Sequence, residues 1–431
     1  MSSAHQNVDA PVDGAVHVQL ERDGSDDPED PGTGTLPAAG TFEEVGTPPL
    51  ALDRICDLTP LGESLFIAHA RSPLGSDGAT ITRYTPDAKK HFFVAFDWNR
   101  EGERKWGGGA GQGFLRVHAI DGRLFVPDAD SPYNGLGIVD KGTESYVFVS
   151  TIDGRFPSPQ MPGHRPPAAP DLSKPDGAGG AAVLPRAYHV LDVIEFRGGL
   201  FASTGSVPPN ERAWHGPSPG ALHRANQSGA RWLYEVDYPF PYQDGVWRLT
   251  FMVRFRDRLY AGIQDYDGRE PNDYVVIEPP ATEPTATLTR EHLRAVRVTD
   301  TGAAGTIRWW VDTAAVPARL YWLAWDHGEV MIRFTTDGDT WMKVDVPAGA
   351  GRPSDIARFR DAVVVLTERG LWRLDGAALA STPIARVQGK HSPFEVSDLF
   401  CAAPLAVFRN ELYAGGQRGG TLYKLVESKA P

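Results

Sequence analysis

An apolar run, a tight polar turn and a bulky pair of residues recur seven times along the chain. The turn and the pair occupy the segments GESLF (62–66), DGRLF (121–125), RGGLF (197–201), RDRLY (256–260), HGEVM (327–331), RDAVV (360–364) and RNELY (409–413). Each segment follows an aromatic or aliphatic residue, namely Leu61, Ile120, Phe196, Phe255, Trp325, Phe359 and Phe408. A short polar turn between two apolar runs is typical of a β hairpin, so the pattern predicts a chain of repeated hairpins.

The length of the repeat predicts the fold class. Repeats of roughly 40 to 60 residues made of short strands are typical of radially arranged blades. We therefore expect an all-β, seven-bladed β-propeller over residues 40–431, after a disordered tail over 1–39. The last blade shows only three apolar runs, so Thr41–Val45 is expected to add its outer strand and close the ring. The alternative is an extended segment that is only docked on the fold.

Apolar runs also predict the strands of the individual blades. Blade 2 is expected to hold strands at 113–120, 124–128, 135–140 and 145–150, followed by a long connection over 151–187. Blade 4 is expected at 247–255, 258–264 and 273–279, with an insertion at 280–305 and a late strand at 306–312. Blade 5 is then compact and begins near Tyr321.

Composition argues against a membrane-spanning helix, and charge argues against a nucleic-acid partner. The chain has 431 residues and 41% hydrophobic content, and no apolar run approaches the ~20 residues of a membrane-spanning helix. Its net charge is −12, and residues 1–40 hold eight of the acidic residues against the single base Arg22. Because phosphate neutralisation needs clustered Lys and Arg, we expect no nucleic-acid partner. We also expect the protein to be a monomer.

The two cysteines provide a test of ring closure. Cys56 lies in the predicted first strand of blade 1, and Cys401 begins that of blade 7. These strands are neighbours only in a closed ring. A disulfide across the seam would indicate an oxidising compartment, and the alternative is a pair of buried free thiols.

Three segments carry a family resemblance. TTDGDTW (335–341) resembles the Asp-box turn of sialidase-like propellers. LRVHAIDGRLFVPDAD (115–130) and LPRAYHVLDVIEFRGGLFASTGS (184–206) are similar to bacterial propellers of the sialidase-like and Kelch-like type. The resemblance implies the fold only, since the arginine triad and Arg-Ile-Pro motif of sialidases have no counterpart here. The tail resembles the tether of bacterial surface lipoproteins, which implies an extracytoplasmic location if a leader was removed, although this sequence shows no export signal.

Long loops over blades 1 to 4 are the expected position of a ligand site. They combine aromatic rings with carboxylate, amide and guanidinium groups, which suits a small polar or glycan-like ligand because rings cover C–H faces while polar groups bond hydroxyls. The candidate ligand-binding residues are Tyr133, Asn134, Arg212, Trp214, His215, Tyr266 and Arg269. The alternative is that these side chains only hold the loops against the scaffold.

Acid–base chemistry has its best candidates at the start of the third and fourth repeats. His189 and Arg248 occupy equivalent repeat positions, and Tyr188 and Asp192 accompany His189. A second set, Asp57, Arg116 and Asp192, lies at one level of successive inner strands and is expected to form an ion network, most simply a structural one.

Metal and cofactor signals are limited. Alternating carboxylates at Asp128 and Asp130, and at Asp265 and Asp267, are of a kind that binds Ca²⁺, but neither pair completes a recognised calcium loop. We therefore expect no cofactor. The function hypotheses are a ligand-binding propeller, a saccharide lyase or hydrolase on the same face, and a surface-tethered scaffold that binds another protein.

Overall fold

A computed structural model describes residues 30–70, 79–98, 113–128, 144–157, 168–174, 177–185, 187, 189–205, 220–226, 228–239, 247–265, 268–279, 287–389, 391–396 and 399–428. Their regular structure is β strand, apart from a single 3-10 turn at Arg290–His292. No helix within these ranges is long and apolar enough to cross a membrane.

After β1 (Gly40–Gly46), the strands form consecutive antiparallel groups. The early groups are β2 (Arg54–Leu61), β3 (Ser64–Ala70), β4 (Thr80–Tyr84) and β5 (Phe92–Asp97); β6 (His118–Ile120), β7 (Arg123–Pro127), β8 (Glu144–Val149) and β9 (Gly180–Pro185); and β10 (His189–Phe196), β11 (Gly199–Gly205), β12 (Ala221–Ala225) and β13 (Trp232–Asp237).

The later groups complete the chain. They are β14 (Trp247–Phe255), β15 (Arg258–Asp265), β16 (Tyr274–Ile277) and β17 (Leu293–Val296); β18 (Gly305–Asp312), β19 (Arg319–Asp326), β20 (Glu329–Thr335) and β21 (Met342–Lys343); β22 (Pro353–Phe359), β23 (Ala362–Thr367), β24 (Gly370–Asp375), β25 (Ala378–Leu379) and β26 (Ala385–Arg386); and β27 (Leu405–Phe408), β28 (Glu411–Gly415) and β29 (Leu422–Glu427).

The groups are arranged around a common centre. The first strand of each group contacts the first strands of its neighbours in the order β2, β6, β10, β14, β18, β22 and β27, and β27 contacts β2. Apolar side chains fill the spaces between adjacent groups, as Phe66, Trp98 and Phe148 do between the first two. The result is an all-β fold of curled, nearly closed sheets.

The seam is closed by the N-terminal strand. β1 pairs with β29 in antiparallel register, Thr41 opposite Val426, so the predicted pairing of Thr41–Val45 with the C-terminal strand is confirmed. β1 also forms a parallel bridge to β26 between Gly40 and Ala385. Because β1 covers the edge of β29, the last group is left without an exposed edge on that side.

Part of the predicted tail contacts the strand groups. Residues 1–29 lie outside the described residues, whereas 30–39 lie within them. The backbone N–H of Thr33 donates to Asn410 Oδ1 at 2.8 Å, and that of Leu36 donates to Asp361 Oδ1 at 2.7 Å. Leu36 also packs on the apolar cluster between the last two groups.

Backbone conformation explains the recurring polar turn. The first residue of every predicted turn has a left-handed φ: Gly62 (56°), Asp121 (49°), Arg197 (49°), Arg256 (48°), His327 (50°), Arg360 (56°) and Arg409 (52°). Two-residue hairpin turns need this conformation because it matches the right-handed twist of the strands. The repeated pattern therefore marks hairpins.

The strands predicted for the second group are wrong in part. In the second group, 145–150 corresponds to the third strand β8 and not to the fourth; the fourth is β9, inside the segment predicted as a connection. The predicted strand at 135–140 lies outside the described residues. The alanine-rich sequence of β9, GAAVLP, has little β propensity, which is why its pattern does not predict a strand.

The boundary between the next two groups is also corrected. The segment predicted as a late strand of blade 4 is β18, which pairs with β19, while β17 is the fourth strand of the preceding group. The HGEVM turn (327–331) therefore joins β19 to β20 rather than a first strand to a second. The connection 313–318 between β18 and β19 lacks the short polar turn, so the sequence gives no hairpin signal there.

Candidate functional site

Carboxylates on three first strands connect neighbouring groups. Asp57 Oδ2 accepts the backbone N–H of Val117 at 3.0 Å, and Asp192 Oδ2 accepts that of Met252 at 2.6 Å. In the same way, Asp355 Oδ2 accepts the N–H of Leu405 at 2.8 Å. All three carboxylates follow an irregularity in the strand pairing. The bulge directs a buried carboxylate at an N–H of the next group.

Two arginines cross the centre at this level. Arg308 Nη1 donates to Asp57 Oδ1 at 3.1 Å, and its Nε lies 3.1 Å from Asp355 Oδ1. Arg116 donates to the carbonyl of Ile307 at 2.8 Å, and its guanidinium lies 3.5 Å from the centre of the Phe251 ring. Burial, with a contribution from nearby Arg308, lowers the pKa of Arg116 to about 10. These contacts connect groups that are not neighbours in the ring, the second and the fifth through Arg116 and the first and the fifth through Arg308.

The predicted network of Asp57, Arg116 and Asp192 is therefore present as a cluster, but its direct ion pairs differ from the expectation. Arg308, which sequence analysis missed, bonds Asp57, and His118 Nε2 lies 2.5 Å from Asp192 Oδ1. Arg116 instead donates to backbone carbonyls. Arg308 pairs with Asp355 as well as with Asp57. Burial raises the pKa of Asp355.

His189 and Arg248 meet at the start of adjacent first strands, as their repeat positions predict. Arg248 Nη2 and His189 Nε2 are 3.1 Å apart. His189 is 3% exposed and Arg248 is 7% exposed. Gly205 allows this approach, because a Cβ atom there would lie 2.6 Å from Arg248 Cγ. Since arginine remains protonated, it is the donor, and His189 Nε2 accepts with the ring proton on Nδ1.

Phe400 reaches the same pair from the far side of the ring. Its ring centre lies 5.1 Å from the guanidinium of Arg248 and 6.1 Å from the ring of Phe251. The next residue, Cys401, forms a disulfide with Cys56, with a Cα–Cα distance of 4.6 Å. The sequence left open whether the two cysteines form a disulfide or remain free thiols, and the structure has the disulfide. The bond fixes the segment that carries Phe400 next to the His189–Arg248 pair.

His69 is a fully buried histidine at the end of β3. Its Nε2 lies 2.8 Å from Thr82 Oγ1, and its Nδ1 has no hydrogen-bond partner among the residues that the structure describes. Burial lowers the pKa of His69 to about 3. The ring is therefore neutral at ordinary pH and is suited to a structural role more than to proton transfer.

Of the candidate calcium ligands, Asp265 has a local structural role. Asp265 Oδ2 accepts the backbone N–H groups of Arg269 at 2.7 Å and Glu270 at 2.9 Å, and so closes its own turn. Asp128 is fully buried, and its carbonyl accepts the N–H of Val190 at 3.0 Å. Within the described ranges no three His, Cys, Asp or Glu side chains are grouped to hold a metal ion.

A polar cluster beside this turn was missed by sequence analysis. Glu270 is 2% exposed, and its Oε1 accepts the Tyr238 hydroxyl at 3.1 Å and Asn272 Nδ2 at 2.6 Å. Burial, together with the charge of Glu270, raises the pKa of Tyr238. The guanidinium of Arg269, a predicted ligand-binding residue, lies 5.5 Å from the centre of the Trp247 ring. The only sequence signal for Glu270 is a charged residue just after a glycine turn.

The remaining predicted site residues lie outside the described residues. They are Tyr133, Asn134, Tyr188, Arg212, Trp214, His215 and Tyr266, together with Asp130 and Asp267 of the candidate calcium pairs. Their roles stay predictions.

The fold is shared with known proteins, although the sequence is not. No protein-family model and no curated protein matches the chain. The structure is similar to that of virginiamycin B lyase from Staphylococcus aureus, with a TM-score of 0.51 and 11% identity over 90% of this chain and 99% of that one. It is also similar to a streptogramin B lyase structure, with a TM-score of 0.51 and 8% identity over 91% of this chain and 100% of that one.

A third similar structure, a polysaccharide lyase, has a TM-score of 0.46 and 11% identity over 86% of this chain and 89% of that one. These neighbours are β-propeller-like proteins. The likeness does not single out the sialidase-like or Kelch-like type. The two structures with a TM-score of 0.51 show that the chain has a β-propeller-like fold.

Proposed function

We propose that the protein is a seven-bladed β-propeller that binds a small polar or glycan-like ligand on the face where β10 and β14 begin. The blade count is supported by the cyclic contacts of the first strands and by the addition of β1 to the last group. In propellers the loops on such a face rest on a rigid scaffold, which favours binding there.

The hydrogen bond between Arg248 and His189 is the observation that carries the proposal. Two buried polar side chains from adjacent first strands are held together at 3.1 Å, and Phe400 packs against the guanidinium. An arginine fixed in this way is preorganised for carboxylate or hydroxyl acceptors of a ligand.

The same hydrogen bond favours ligand binding as the function and argues against catalysis by His189. Its Nε2 lone pair is engaged by Arg248, and a general base needs that lone pair for the substrate proton. A lyase or hydrolase of saccharides is the second candidate, and it is favoured by a different pair. Asp192 is buried and holds the imidazole of the partly exposed His118 at 2.5 Å, an arrangement in which a carboxylate orients an acid–base histidine.

The compartment follows from the disulfide. Structural disulfides persist in oxidising surroundings, so we assign the working location to an extracytoplasmic or other oxidising compartment on the strength of the Cys56–Cys401 bond.

Two screens on the purified wild-type protein test these functions. A glycan array detects binding, and ultraviolet detection of unsaturated products together with reducing-sugar release detects lyase and hydrolase activity on acidic and neutral polysaccharides. We expect array binding without turnover. Turnover that is abolished by His118→Ala would establish the enzyme instead, and the absence of both binding and turnover would overturn the proposed ligand class.

A further inference from the structure

The Glu270 cluster contains a buried carboxylate oxygen without a donor. Glu270 Oε1 accepts three donors, the Tyr238 hydroxyl, the Asn272 backbone N–H at 3.1 Å and the Asn272 side-chain amide. Glu270 Oε2 has no hydrogen-bond partner in the parts of the chain that the structure describes. A buried carboxylate oxygen without a donor is costly, so a water molecule or a ligand that donates to it would stabilise the cluster.

The neighbouring described groups do not supply the missing donor. The amide nitrogen of Asn272 is used by Glu270 Oε1 and by the Tyr238 hydroxyl, 3.3 Å away, so this amide does not turn toward Oε2. Asp265 is engaged by the two backbone N–H groups of its own turn. Asn272 is half-buried, which connects the cluster to the surface.

Charge indicates which kind of donor fits. The sequence 265–272 has three acidic residues, Asp265, Asp267 and Glu270, and one basic residue, Arg269, whose guanidinium lies over the Trp247 ring. A cation at Oε2 would reduce this excess of negative charge and form a charge-assisted hydrogen bond, which is about twice as strong as a neutral one.

We propose that Glu270, held by Tyr238 and Asn272, binds a protonated amine of the ligand, such as that of an amino sugar. This inference rests on the proposed ligand-binding function and adds a specificity-determining residue to it. The site is linked to the first candidate along the chain, because Arg269 lies over Trp247, which precedes Arg248 in β14.

The test compares an amino-sugar oligomer with its N-acetylated form. Glucosamine and N-acetylglucosamine tetramers are titrated calorimetrically into the wild type, Glu270→Gln and the control Glu291→Gln, which removes the same charge from an exposed site in the 3-10 turn. The free amine should bind the wild type and the control about tenfold more tightly than the acetylated form. Glu270→Gln should lose this preference, because its amide can place N–H groups toward the ammonium.

The outcomes separate this inference from the function on which it rests. Equal wild-type affinity for the two sugars, or a preference that survives in folded Glu270→Gln, overturns the amine site and leaves the binding function intact. No binding of either sugar to the wild type overturns the amine site, and the glycan array then decides the binding function separately. The wild-type comparison does not depend on a variant, so it decides the matter even if Glu270→Gln fails to fold, as judged by its thermal midpoint.

Discussion

Cys56, in β2, and Cys401, just before β27, are joined by a disulfide although 345 residues separate them along the chain. The bond links the first and last groups at the point where β27 contacts β2. It lies beside Phe400, which packs on Arg248, so the covalent closure of the ring and the candidate site share one segment.

The first prediction concerns the covalent closure. Reduction of the wild type, or replacement of both cysteines by serine, should lower the free energy of unfolding by about 2 to 5 kcal/mol, because the bond restricts a very long loop in the unfolded chain. Chemical denaturation with and without dithiothreitol measures this. The double variant serves as the control, since its stability should not respond to dithiothreitol. An identical denaturation midpoint for the oxidised and reduced wild type would exclude a stabilising bond.

A second prediction concerns the closing strand. Deletion of 1–46 removes β1 and exposes the edge of β29, so the thermal midpoint should fall sharply. Deletion of 1–29, a segment rich in acidic residues, should leave the midpoint nearly unchanged. Differential scanning calorimetry of the two truncations makes the comparison. Equal midpoints would show that β1 is only docked on the fold.

Buried His69 predicts a dependence of stability on pH. Its pKa is about 3 in the folded protein against an ordinary 6.5, so below pH 6.5 the unfolded chain binds a proton that the folded protein does not. This contribution is complete above pH 6.5 and is lost as the pH falls toward 3, by up to about 1.4 kcal/mol per pH unit.

The comparison uses His69→Gln, which keeps a polar group near Thr82 but does not titrate. Between about pH 7 and about pH 5, the loss in unfolding free energy should be smaller in the variant than in the wild type by about 2 kcal/mol. Urea denaturation at the two pH values measures both losses. Parallel losses would mean that His69 titrates normally in the folded state.

The central ion pairs give a fourth prediction. Arg308→Met should lower the unfolding free energy by about 3 to 5 kcal/mol, because it removes the cation that pairs directly with the buried carboxylates of Asp57 and Asp355. Arg373→Met, which removes an exposed pair with Asp375, is the matched control and should have little effect. Similar small effects of both substitutions in chemical denaturation would contradict the structural role of Arg308.

The fold was predictable from local patterns, since turns such as 121–122 and 409–410 require left-handed residues between two apolar runs. β9 was missed because an alanine-rich strand has no distinctive pattern. Within the candidate site, the proximity of His189 and Arg248 was predictable because the two residues occupy equivalent positions in adjacent repeats. Arg308 and Phe400 reach the centre from remote segments, and pairing across a ring leaves no local signal in a single sequence.

The affinity of the Arg248 and His189 variants tests the central claim most directly. For a ligand identified on the array, Arg248→Ala and His189→Ala should each weaken binding by about 1 to 3 kcal/mol, the usual effect of a lost buried hydrogen bond or charge contact. The control Arg386→Ala, which changes an exposed residue of β26, should bind as the wild type does. Wild-type affinity in both folded site variants, measured by isothermal titration calorimetry, would contradict a ligand site at this pair.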